Sequence, residues 1–203
     1  MKNIIMIVIA LGILLGGIYF GFFNPATLLR HSAEAEAQKL NDAFATKDRA
    51  KISAALNTLL TDDAHIKLTV EFVSLTQQGQ KPMVQDFDKA SFITFMDNII
   101  YSLSDYAFGM KVDNFVLGAD KNTATVSLPS WQWGDTTSDS FYAGTTINVR
   151  YLGATTCDGT LRFENKIPRL SGATCTLQLH VTPRSGPGDS LSSPEQLRDM
   201  LKQ

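Results

Sequence analysis

Residues 147–163 read INVRYLGATTCDGTLRF, and residues 175–181 read CTLQLHV. In the first stretch Ile147, Val149, Tyr151, Cys157, Leu161 and Phe163 fall on odd positions, while Thr146, Asn148, Arg150, Thr156, Asp158 and Arg162 occupy even ones. This period of two is the pattern of a half-buried strand, and Cys175, Leu177, Leu179 and Val181 resume it. Glu164 to Pro168 reads as the turn between the two strands, with Gly153 and Gly159 marking bends in a long curved strand. A hairpin centred on Lys166 places Cys157 opposite Cys175, Gly159 opposite Ala173 and Leu161 opposite Ser171. Directly opposed strand residues lie within disulfide reach, so a Cys157–Cys175 bond is expected.

Upstream of this hairpin, Lys111 to Leu117 and Thr123 to Trp133 flank the turn residues Gly118 to Asn122, with Ala124, Val126 and Leu128 on one face. Trp131 and Trp133 share a face before the polar stretch Gly134 to Ser140; they suit a partner surface or a core equally. The acidic run Asp135 to Asp139 lacks the register of a calcium loop and reads as a solvated turn. Further upstream the period changes. Phe92, Phe95, Met96, Ile99 and Leu103 form a helical stripe opened by Asp86 or Asp88, and a polar loop (77–80) precedes it. Ile66, Leu68, Val70 and Phe72 alternate as a strand. Before that, Asp48 caps a helix carrying Ile52, Leu56, Leu59 and Leu60, and residues 32–45 form another with Ala37, Leu40 and Phe44 inward. The class is α+β: about three helices against a curved antiparallel sheet.

The order helix, helix, strand, helix, then curved strands resembles the nuclear-transport-factor-2-like (SnoaL-like) superfamily over residues 33–182. Leu59-Leu60-Thr61-Asp62-Asp63-Ala64-His65-Ile66 is similar to its helix-to-strand junction. The resemblance implies a cone whose sheet wraps the helices around an apolar pocket. It also implies a range of roles, among them isomerases, dehydratases, ligand binders and membrane-anchored periplasmic scaffold subunits of bacterial secretion machines. Enzymes of the group place Asp, His or Tyr in the pocket. Here only Asp63 at the junction and Tyr151 on an inward strand position come near that pattern. His31, His65 and His180 stand at no metal-ligand spacing, so neither metal nor cofactor is expected.

Residues 4–23, IIMIVIALGILLGGIYFGFF, are twenty residues without a charge, long enough as a helix to cross a bilayer's hydrocarbon core. The run exceeds a signal peptide's apolar region, and Asn24-Pro25 follows it instead of a small-residue cleavage site. Residues 1–25 are thus expected to be an uncleaved anchor lying in membrane lipid, with Gly12, Gly16, Gly17 and Gly21 spaced for helix packing. Lys2 on the short side and the cysteine pair place residues 26–183 outside the cytoplasm, in a bacterium the periplasmic face of the inner membrane. A pilin-like subunit shares part of this layout, but Pro25 breaks the helix continuity such a subunit requires. Residues 184–203 read as a linker and a short capped helix bearing Leu197, Met200 and Leu201.

A net charge of −2 and a pI near 5.9 exclude the basic footprint of a nucleic-acid binder. With no convergent acid–base set, the expected function is a noncatalytic interaction or assembly module engaging another membrane or periplasmic protein. The alternative is a binder of a small apolar ligand, or a cone-pocket isomerase or hydratase.

Overall fold

The computed structural model describes residues 24–73, 81–139 and 146–183. The anchor with its four glycines and the C-terminal linker and helix lie outside the described residues. Asn24 caps the first helix, α1 (Pro25–Ala45), accepting the Ala26 N–H at 3.0 Å, and Pro25 sits at the first helical position, where its missing N–H costs nothing. The helix thus starts seven residues before the Ala- and Glu-rich stretch that announces it. Asp48 caps α2 (Arg49–Leu59) as expected. Of the two aspartates before α3 (Lys89–Ser102), Asp88 is the cap, in a reciprocal box with Ser91.

Among the described residues seven strands form one curved sheet: β1 (Leu60–Phe72), β2 (Met83–Asp88), β3 (Asp105–Met110), β4 (Asp113–Leu117), β5 (Thr123–Asp139), β6 (Thr146–Glu164) and β7 (Ile167–Pro183). Their order is β2-β1-β7-β6-β5-β3, with β4 also on β5. The sheet is mixed and not purely antiparallel as expected, because β1 pairs with β7 in parallel. Those two strands are joined by the whole body of the domain, so the connection has ample length for a parallel pair. β2 carries no alternation in its sequence; it is an edge strand exposed at every residue except Phe87. Asp135–Asp139, read from sequence as a turn, continues β5 instead, paired with the start of β6.

The β6–β7 turn is tighter than its sequence suggests. Only Asn165 and Lys166 form it, with φ of 53° and 67°, the paired left-handed conformations of a two-residue hairpin turn. Leu161 therefore faces Leu170 and not Ser171, and a bulge at Ser171 then restores the expected register. Cys157 and Cys175 pair directly and are bonded, S–S 2.09 Å.

The helices lie on the concave side. Ala33, Ala37, Ile66, Leu128, Leu161 and Leu170 pack in one buried cluster, and Leu40, Phe44, Ile52, Leu56, Ile100 and Tyr106 in a second at the other end of α1. Asn41 fastens α1 to the sheet margin: its amide donates to the Met110 carbonyl and accepts the Met110 N–H, both at 2.9 Å.

Candidate functional site: an apolar cavity in the cone

Between the helices and the concave face lies a cavity of about 120 Å³. Leu40 and Phe44 from α1, Leu56 and Leu59 from α2, and Phe92, Phe95, Met96 and Ile99 from α3 form its roof. The α3 residues are the helical stripe read as core from the sequence. They are only partly buried, because the space beneath them is not filled. Leu128, Leu177, Ala173 and the disulfide supply the floor, with Phe108 and Met110 at the margin.

Polar atoms enter this wall at one place. Ser130 and Thr155 are cross-strand neighbours, and Gln132 stands two residues along the same face of β5. Gly153, opposite Gln132, leaves room for them: a Cβ there would lie 2.8 Å from a Leu177 methyl and 2.9 Å from Gln132 Cγ. The sequence flagged this glycine as a bend; its role is close packing. The hydroxyls and the amide can donate and accept hydrogen bonds but do not titrate in the ordinary pH range. The cavity therefore presents an apolar chamber with one neutral, hydrogen-bonding corner.

The titratable residues singled out in the sequence stand elsewhere. Between its pairings at Leu60 and His65, β1 bulges, turning Asp62 and Asp63 out to solvent. There Asp63 accepts hydrogen bonds from both terminal nitrogens of Arg162 at 3.1 Å. Hydrogen bonds from Thr61 and Arg162 hold its carboxyl below the usual range. Tyr151 lies on the inward side of β6, opposite Gly134 and Val181, and outside the cavity wall. His31 is exposed on α1 against Glu34, and among the described residues no cluster of three potential metal ligands forms. Tyr106 was not singled out from sequence. Burial pushes its hydroxyl up from the ordinary tyrosine value, and that hydroxyl has no hydrogen-bond partner among the described residues.

Trp131 and Trp133 belong to neither the cavity nor the exposed surface. They alternate with Ser130 and Gln132 and so project from the convex face, half-buried. Trp131 covers Gly109, whose missing side chain makes space for the indole ring. Trp133 stacks on the Arg150 guanidinium at 4.8 Å, and Arg150 in turn grips Asp135 through two bonds of 2.7 and 2.8 Å. This buried pair is missed by a reading of Asp135 as part of a solvated acidic run; only the β5–β6 register, which sets Asp135 opposite Arg150, reveals it.

No family profile matches the chain, and no curated protein matches it in sequence. Solved structures do resemble it. A type 2 hexachlorocyclohexane dehydrochlorinase is 12% identical, with 82% of this chain and 97% of that one covered and a TM-score of 0.47. A ketosteroid isomerase-like protein from Erwinia carotovora atroseptica is 17% identical over 73% and 95%, with a TM-score of 0.34. A conserved protein from Planctomyces limnophilus is 14% identical over 75% and 95%, with a TM-score of 0.42. Among the described residues three helices lie in the concavity of one curved sheet over an apolar chamber, the arrangement that the sequence's resemblance to the nuclear-transport-factor-2-like superfamily implies.

Proposed function

We propose that this cone domain binds a small, predominantly apolar ligand bearing one hydrogen-bonding group, and that residues 4–23 tether it to a membrane on the non-cytoplasmic side. The cavity wall carries the reading: apolar throughout except for Ser130, Gln132 and Thr155 at one corner. An engineered apolar cavity of about 150 Å³ takes up benzene, so a chamber of comparable size suits a single ring or a short branched chain. The tether is supported by the uncharged run and the non-cytoplasmic placement by the Cys157–Cys175 bond, which suits an oxidising compartment. Among the described residues no helix is long and apolar enough to cross a membrane, so the tether rests on residues 4–23.

Ligand binding to the folded state alone raises the melting temperature. Titrating the full-length protein in detergent with cyclohexanol, cyclohexanone and cyclohexane should raise it saturably, the two oxygenated rings at lower concentration. A Ser130→Val/Thr155→Val variant should lose that preference while still responding to cyclohexane. No rise with any of the three would refute a binding chamber.

The assembly-module reading keeps one supporting observation, the half-buried tryptophan pair on the convex face. A cone-pocket isomerase or hydratase would need an acid or base at the chamber, and the described wall residues supply none at neutral pH.

A further inference from the structure

We propose that one pole of the cone rests in the headgroup layer of the membrane that takes up residues 4–23. This rests on the anchor reading and adds an orientation to it. Three segments meet at that pole. The Ser32 hydroxyl donates to the Lys166 carbonyl at 3.2 Å, joining α1 to the β6–β7 turn, and the Phe163 N–H donates to the Asn122 carbonyl at 2.8 Å, joining that hairpin to the β4–β5 turn.

The pole leaves large apolar side chains outside the core. Leu28 is 50% exposed and Ile167 45% exposed, although α1 buries residues only from Ala33 onward. Long basic side chains flank them: Lys121 and Lys166 stand exposed at the two turn tips. Of the carboxylates nearby, Glu34 is engaged by Arg30, Asp63 by Arg162, Glu164 by Arg169, and Asp120 by the N–H groups of Asn122 and Thr123 and the Thr123 hydroxyl. Apolar groups bordered by flexible cations match the boundary between acyl chains and phosphates.

Reach agrees with chemistry. The uncharged run ends at Phe23, and Asn24 already caps α1. From Pro25 to Ser32 the helix rises about 10 Å, against a headgroup layer of roughly 5–8 Å on each side of the bilayer. The first turns of α1 therefore lie inside that layer, and the Lys166 side chain, level with Ser32, reaches its outer edge. At the other pole, about 30 Å away along α1, Tyr101 is 75% exposed.

The two native cysteines are bonded to each other, so a single added thiol can be labelled in the full-length protein. Leu28→Cys, Ile167→Cys and Tyr101→Cys, each carrying an environment-sensitive dye, would be compared in phosphatidylcholine–phosphatidylglycerol vesicles containing lipids with a nitroxide on the headgroup. Quenching at positions 28 and 167 should exceed that at 101 several-fold. Unlabelled protein gives a second reading: amides of residues 26–32 and 165–167 should exchange more slowly in vesicles than in detergent micelles. Equal quenching at all three positions, or unchanged exchange, in protein that floats with the vesicles and resists alkaline extraction would overturn the pole contact and leave the anchor standing. Protein that fails to float would overturn both.

Discussion

The Arg150–Asp135 pair shows how much one residue's meaning depends on its neighbour across the sheet. In sequence Asp135 opens an acidic run; in the fold it is buried, held by two bonds to Arg150, with the Trp133 ring against the guanidinium. Removing one member takes both charge-assisted hydrogen bonds from the other, and a hydrogen bond to a charged group contributes about 1.5–3 kcal/mol. Asp135→Asn or Arg150→Met should each lower the melting temperature. The double variant Asp135→Asn/Arg150→Met should be less destabilised than the two single losses summed, since the shared bonds are then lost only once. Denaturant midpoints of the three variants and the parent would show this; strictly additive losses would mean that the two residues act separately. Asp63 shows the same dependence: at the helix-to-strand junction the β1 bulge turns it outward to Arg162.

Among the elements, the hairpin of β6 and β7 is legible because its alternation is strong, and the cysteine pairing follows correctly although the turn is two residues where the sequence suggests five. The bulge at Ser171 compensates for the tighter turn, so the register error is confined to residues near the tip. β2 was illegible because an edge strand with one buried residue has no hydrophobic period to display. Two expectations belong to this scale. Reducing the Cys157–Cys175 bond should lower stability by about 3 kcal/mol, the amount associated with closing a loop of this length, and thiol labelling of denatured, unreduced protein should find no free cysteine. The caps and surface pairs set the acid limit. The Ser91 hydroxyl and N–H hold the Asp88 carboxyl below its ordinary value, Lys89 does so for Asp62, and Arg49 for Asp97. A lowered folded-state value means stability present above the unfolded carboxylate range, near pH 4, and lost as pH falls from there through the lower folded-state values. Tyr106 has the reverse sign: burial raises its value, so its contribution holds below about pH 10 and fades as pH rises beyond. Urea midpoints measured from pH 2 to 11 should form a plateau with falls at both ends; a midpoint still rising below pH 4 would contradict the carboxylate directions.

At the scale of the whole molecule, element order was readable from periodicity, because helix and strand stripes differ in spacing, and it led to the cone. The chamber was not readable, since a stripe such as Phe92, Phe95, Met96 and Ile99 looks the same whether it packs against side chains or against empty space. The proposed tether yields its own expectation: a reporter active only outside the cytoplasm, fused after Gln203, should be active, and the mature chain should keep Met1 or Lys2. A mature N-terminus near Ala35 or Glu36 would instead identify residues 4–23 as a cleaved signal.

The parallel pairing of β1 with β7 also bears on how the chain acquires its shape. His65 takes Gly172 as its neighbour, a partner about a hundred residues further along, so the first described strand waits for the last. During synthesis, with the N-terminal end emerging first, β1 can hold β2 on one side while its other edge stays open, offering unpaired backbone groups to any passing strand. A chain halted before Ile167 would remain in that exposed state, lacking both its closing strand and the second cysteine that locks it. Fold completion is thus a late, non-local event, and truncated chains of this protein are the ones expected to aggregate.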